Sequence, residues 1–275
     1  MRKILYIFSL GIMAISCIPA QPRGSAGVPA SHSKEISSPS RKQPARDTQN
    51  GQSKTSLNVS NSQKDLIRYE GYTVSFNEKH LIPNWVSYEL TSTETNGPYS
   101  RKGLNFSQDP SAKVKQAEND DYRNSGWSRG HMAPAGDFKW SSTAMVETFY
   151  FTNCCPQNQS LNSGQWNTLE QKVRDWARRF GKVYIVTGPI VGKNIYRTIG
   201  YNKVVVPDAF FKAILAGEQS IAFVMYNHNN NENMQKCAMS VDDLEALTGI
   251  DFFAEQVDDF ENQVEATYNL RNWGL

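Results

Sequence analysis

Residues 128–174 read SRGHMAPAGDFKWSSTAMVETFYFTNCCPQNQSLNSGQWNTLEQKVR, and the spacing of the apolar side chains in this stretch decides the fold class. Trp166, Leu169, Val173, Trp176 and Phe180 recur at helical intervals, so a helix over residues 163–180 should turn one face to a core. Gly181 stops it, because glycine takes the left-handed backbone of a helix C-terminus without strain. Further helical signals lie at 141–147 and at 241–247, the latter with Ser240 as cap. Between them, β-branched and aromatic runs bounded by turn formers predict strands at 72–76, 85–90, 149–152, 183–187, 204–206 and 220–226. There is no alternating strand-helix-strand rhythm and no internal repeat, so the expected architecture is α+β, a mostly antiparallel sheet flanked by helices.

Outside that stretch, composition divides the chain. Residues 1–20 (MRKILYIFSLGIMAISCIPA) set Arg2 and Lys3 before an apolar run shorter than a comfortable membrane span, the form of an export signal. Residues 21–64 are rich in Ser, Pro, Gln, Asn, Lys and Arg, with too few large apolar side chains to offset the entropy of ordering, and read as a disordered tether. One folded domain is expected over 65–275. Cys17 follows Ala14, Ile15 and Ser16 in a loose match to a lipoprotein cleavage site, which leaves two outcomes open: a lipid anchor through Cys17, or cleavage near Ala20. Either outcome puts the protein outside the cytoplasm, as an extracellular, periplasmic or outer-surface protein.

The chain carries 29 basic and 27 acidic residues, but nine of the basic and only three of the acidic ones fall before residue 66, which leaves the domain formally at −4. That excludes the strongly basic footprint of a stoichiometric nucleic-acid binder, though not an enzyme with a local basic cleft. In an oxidising compartment, Cys154, Cys155 and Cys237 allow one disulfide. Strain disfavours a bridge between neighbours, so Cys155 with Cys237 is the expected pair, although spacing does not fix the connectivity. No C-x-x-C or H-x-x-x-H spacing points to zinc.

Taken singly, the polar residues of the stretch have ordinary readings. Any of the four histidines, His32, His80, His131 and His228, would by itself be solvated or structurally satisfied. Asn162 before SGQWNTLE suits a helix N-cap. Glu170 and Arg174, four apart on one helix face, suit a surface pair. The joint pattern is more specific: His131 directly after Arg129 and Gly130, then Asn162, Glu170 and Arg174 in that order. Gly130 gives the backbone there room for close approach to a ligand.

In order and spacing this pattern resembles the DNA/RNA non-specific endonuclease family, whose site is a ββα-metal (His-Me) finger. The strings PNWVSYEL, GWSRGHMAPAGDF, FTNCCPQN, LNSGQWNTLE, VTGPIV, VPDAFFKAIL and VDDLEALTGIDFF look like that family's successive elements over about 200 residues of the chain. The resemblance implies His131 as general base, Asn162 as the direct ligand of Mg²⁺ (Mn²⁺ substituting), and Glu170 as a carboxylate on the ion's hydration water. It implies Arg129 and Arg174 as phosphate-binding arginines, with Asn153 and Gln157 as polar groups beside the substrate. The family's commonest motif has Asp before Arg-Gly-His; here Ser128 stands in its place, as in a bacterial secreted branch, and this bears on how Arg129 is oriented.

The residue types suit the chemistry. A neutral imidazole, unperturbed near a pKa of ~6.5, can take a proton from attacking water. An amide oxygen plus waters suits a hard ion that keeps most of its hydration. Contacts to phosphate and ion carry no base information and need no 2′-hydroxyl, so DNA and RNA are both expected as substrates, cut to 5′-phosphorylated fragments, with no specific protein partner implied. Two other readings are a catalytically silent surface protein that binds extracellular DNA and a toxin-type nuclease.

Overall fold

The computed structural model describes residues 66–192, 197–229, 232–254 and 264–275; the expected export segment, the tether and Cys17 lie outside the described residues. In chain order the strands are β1 (Leu66–Arg68), β2 (Thr73–Asn77), β3 (Ile82–Thr91), β4 (Ser128–His131), β5 (Cys154–Gln157), β6 (Lys182–Ile190), β7 (Thr198–Ile199), β8 (Val204–Val205), β9 (Ala209–Ala216), β10 (Gln219–Tyr226) and β11 (Ala238–Met239). The helices are α1 (Asn119–Tyr122), α2 (Ser142–Glu147), α3 (Gln159–Leu161), α4 (Asn167–Phe180) and α5 (Val241–Thr248).

Seven strands form one antiparallel sheet in the order β1-β2-β3-β6-β9-β10-β11. Side chains alternate across its central strands: Ile185, Phe210 and Ile214 enter the core under α4, whereas Val186, Phe211 and Leu215 enter a second core with Val241 and Leu244 of α5. Both faces are therefore covered, which is why AFFKAILA of β9 reads as an almost unbroken apolar run. The helical stripe falls as its spacing predicts: Trp166, Leu169, Val173 and Trp176 are buried and Phe180 is half-buried. Gly181 terminates α4 at φ 87°, and Ser141 and Ser240 cap α2 and α5 through their hydroxyls.

Three expectations are corrected. The strand expected at 149–152 begins later, at Cys154, because residues 151–153 form a 3₁₀ turn. The Asn153 side chain holds that turn to neighbouring backbone, accepting from Ala133 N at 2.8 Å and donating to Ala133 O and Thr148 O at 2.9 Å each. Asn162 is not an N-cap. Asn158 has that role, its Oδ1 accepting from Ser160 N and Leu161 N, while Asn162 lies inside the helical run, at the start of a π-helical turn over Asn162–Trp166. The expected Cys155–Cys237 disulfide is likewise absent, since Cys154, Cys155 and Cys237 are buried free thiols. Cys155 sits in β5 opposite Gly130 and Cys237 at the end of a turn leading into β11, both packed among apolar side chains of the same core.

Asn158→Ala should lower unfolding stability by about 1 kcal/mol in urea titration, and Asn162→Ala by clearly less. Equal losses would return the capping role to Asn162.

Candidate active site

The β4–β5 ribbon pairs Ser128 with Gln157, Arg129 with Pro156, Gly130 with Cys155 and His131 with Cys154. The chain then runs through α3 and the π-turn into α4, so strand, strand and helix form a ββα unit. Gly130 is required for a reason other than ligand approach: a Cβ there would run into the Gln157 side chain, which is fully buried across the ribbon. This corrects the substrate-contact reading of Gln157 and of Asn153. Both are 0% exposed, Gln157 packed beneath Gly130 and Asn153 committed to backbone. Both shape the ribbon from within.

His131 is nearly buried, its ring 4.6 Å from Phe106 and edge-on to Phe149 at 4.9 Å between centroids, and its Nε2 has no hydrogen-bond partner. Burial pushes its pKa down to about 3, with the nearby Arg101 guanidinium adding to the effect. The imidazole is thus neutral at pH 7, and its titration does not fall in the ordinary range near ~6.5.

Beside it opens a cleft of about 620 Å³ lined by Arg101, Arg123 and Arg129 together with Phe106, Tyr122 and Phe149. The guanidinium of Arg129 donates to Asn119 O at 3.1 Å and lies 5.3 Å over the Tyr122 ring. Asn119 and Tyr122 therefore orient Arg129. Ser128 serves elsewhere, its hydroxyl donating to Gln159 Oε1 and tying β4 to the start of the helical run. Arg101 was missed in the sequence because it lies far from the motif in unpatterned loop, and Arg123, at the end of α1 shortly before Ser128, because it falls just outside the motif.

A second group lies under α4. Arg174 does not pair with Glu170. Its Nη1 donates to Asp137 Oδ1 at 2.7 Å, and Asp137, fully buried, also accepts from the Tyr88 hydroxyl at 2.9 Å. Gly136 allows this approach, since a Cβ there would stand 2.8 Å from Arg174 Nη1. Arg174 is thus apart from the residues that line the arginine cleft. Burial raises the pKa of Glu170, opposed chiefly by Lys212, a residue unsuspected from the sequence. Arg101 links the two groups, its charge acting on both His131 and Glu170.

The half-buried Asn162 side chain has no hydrogen-bond partner among the described residues, and the same holds for the Glu170 carboxylate. A free amide oxygen and an unpartnered carboxylate on one continuous helical run fit a hydrated hard divalent ion. The acidic trio close enough to share an ion, Asp242, Glu245 and Glu265, sits on and beside α5, at the opposite face of the sheet.

The family model for DNA/RNA non-specific endonucleases matches residues 49–259. Mitochondrial nuclease EXOG of Danio rerio is 40% identical over 204 residues, covering 67% of this chain and 60% of that protein. Human mitochondrial EXOG is 38% identical over 205 residues, covering 67% and 56%, and human mitochondrial endonuclease G 34% identical over 200 residues, covering 66% and 67%. The chain thus spans under two thirds of the length of the EXOG relatives. The crystal structure of the EndoG/EndoGI complex contains a chain that superposes with TM-score 0.66 at 30% identity, covering 72% of this chain and 88% of that one. These relatives are mitochondrial nucleases, which overturns the expected extracellular, periplasmic or surface placement; the lipid anchor through Cys17 finds no support among them.

Because His131 is held neutral, the folded state resists protonation that the unfolded chain accepts below pH ~6.5, so stability is lost as pH falls from there toward about 3. Between pH 7 and pH 5 the wild type should lose more melting temperature than His131→Gln. Identical losses would mean that His131 is not buried as a neutral ring.

Proposed function

The chain belongs to the DNA/RNA non-specific endonuclease family, and we propose that its domain, residues 65–275, hydrolyses phosphodiester bonds in DNA and RNA without sequence specificity, leaving 5′-phosphorylated fragments. The observation that carries this is a neutral histidine packed on Phe106 and Phe149, which line a cleft of three arginines.

The arginines seat the diester anion. Arg129, already oriented by Asn119 and Tyr122, and Arg101, over the Phe149 ring at 5.3 Å, draw phosphate oxygens to the aromatic wall that holds His131. Burial is the larger cause of the lowered imidazole pKa, and an anion in the cleft would offset the smaller contribution of Arg101. The His131 imidazole takes a proton from water as the water oxygen bonds to phosphorus, and the bond from phosphorus to the 3′-oxygen breaks, leaving a 5′-phosphate and a 3′-hydroxyl. A divalent ion, Mg²⁺ by its fit to one amide oxygen and waters, would be held by Asn162 with Glu170 beside its hydration shell, and would stabilise negative charge on the phosphate and the leaving oxygen. Arg174 stays on Asp137 and keeps α4, and with it Glu170, in place. None of these contacts reads a base or needs a 2′-hydroxyl.

Incubated with Mg²⁺, the protein should degrade plasmid, single-stranded DNA and RNA, and excess EDTA should abolish this. His131→Ala should lower cleavage at least ~10²-fold with the fold intact, and Asn162→Ala should raise the Mg²⁺ requirement far more than it weakens DNA binding. Binding without cleavage by the wild type would favour a silent DNA-binding protein; cleavage in chelator would remove the ion from the mechanism.

A further inference from the structure

Lys212 is 0% exposed in the middle of β9, and its ammonium group has no hydrogen-bond partner. Cleavage as described above makes no use of it. Strand alternation turns Phe211 toward α5 and sends Lys212, with Phe210 and Ile214, toward α4. There Nζ lies 4.8 Å from the centroid of the Trp166 ring, and Trp166 closes the π-turn that begins at Asn162. The acidic groups whose charge acts on Lys212 are Glu170 of α4 and Asp137 of the turn after His131, with Arg174 as a competing cation. Asp137 is already bonded to Arg174 and Tyr88. The anion left without a direct partner is Glu170.

A methionine of similar length would fill this space without the cost of stripping water from an ammonium group, so packing alone does not account for a lysine. A cation acting on both Trp166 and Glu170 does, because charge-charge attraction is little screened away from water and a cation on an indole face gains most when desolvated. We propose that Lys212 is a positioning residue of the cleavage site, a buried cation that, through the face of Trp166, fixes the π-turn that presents Asn162 and whose charge opposes neutralisation of Glu170. This rests on the nuclease reading given above. The groups acting on Glu170 are Lys212 from β9, Asp137 from the turn after β4, Arg174 from its own helix and Arg101 from the loop before α1, and the hydroxyl of Tyr88 on β3 also feels its charge. Lys212 is the one of these cations that is wholly enclosed.

The test is Lys212→Met in the full chain. In metal-free protein labelled with ¹³C at glutamate carboxyls, with the Glu170 signal identified by its loss in Glu170→Gln, the Glu170 titration midpoint should rise by about one pH unit when the cation is removed. With Mg²⁺ at pH 7, kcat should fall at least about tenfold and the half-activating Mg²⁺ concentration should rise, while KM for DNA stays within about twofold, a split expected when ground-state binding is untouched. If Lys212→Met alone does not fold, Lys212→Met/Glu170→Gln should, since removing both charges leaves neither uncompensated. An unshifted Glu170 titration in folded Lys212→Met, or a double variant that also fails to fold, overturns the proposal. A shifted titration in a protein whose wild type cuts no nucleic acid supports the coupling and counts against the nuclease reading alone.

Discussion

The ion pair between Arg174 and Asp137, closed at 2.7 Å around a carboxylate with no exposure, is the constraint on which the site depends. It joins three parts of the chain that are distant in sequence: the turn that follows His131, the face of α4 that carries Glu170, and, through the Tyr88 hydroxyl, strand β3 of the main sheet. Burial raises the pKa of Asp137, and the guanidinium opposes that rise. Loss of one partner from such a pair costs about 3–5 kcal/mol because the other charge is left buried alone. The pair therefore ties the turn that follows His131 to the helix that carries Glu170.

Polar groups with little or no protein bonding gather around this pin. Nε2 of His131, the Asn162 amide, the Glu170 carboxylate and the Lys212 ammonium all have unused hydrogen-bonding capacity, in a region where burial makes that capacity costly. Groups of this kind concentrated in one place are a functional signature. Asn153, by contrast, is fully used, bonding to Ala133 and Thr148. The contrast sets Asn153 among the residues that build the ribbon; Gln157, buried beneath Gly130 with no hydrogen-bond partner for its amide, belongs there by packing alone.

Periodicity made the α4 stripe and strands β2, β3, β6 and β10 legible, because each buries its side chains on a pattern of fixed repeat. The ribbon strands SRGH and CCPQ were not legible as strands, having no β-branched or aromatic residue to mark them. Their pairing is set by the fit of the Gln157 side chain over Gly130. Asn162 deceived by position: an asparagine ahead of an amphipathic helix is usually its cap, but Asn158 caps the run one turn earlier and the π-turn leaves the Asn162 amide without a bond. Cys155 and Cys237 looked like partners only because counting thiols ignores where their elements lie.

By itself the sequence determined the fold class, the order of His131, Asn162, Glu170 and Arg174, and the family to which that order belongs, since local periodicity and a spaced motif are properties of the chain alone. Tertiary structure decided which of these side chains are available. It took Arg174 for Asp137, Asn153 for backbone and Gln157 for the ribbon, brought Arg101 to stand with Arg123 and Arg129, and set Lys212 against the face of Trp166. Proton affinity and charge coupling depend on solvent exclusion and distance in space, and neither exists until strands and helices far apart in the sequence have packed together.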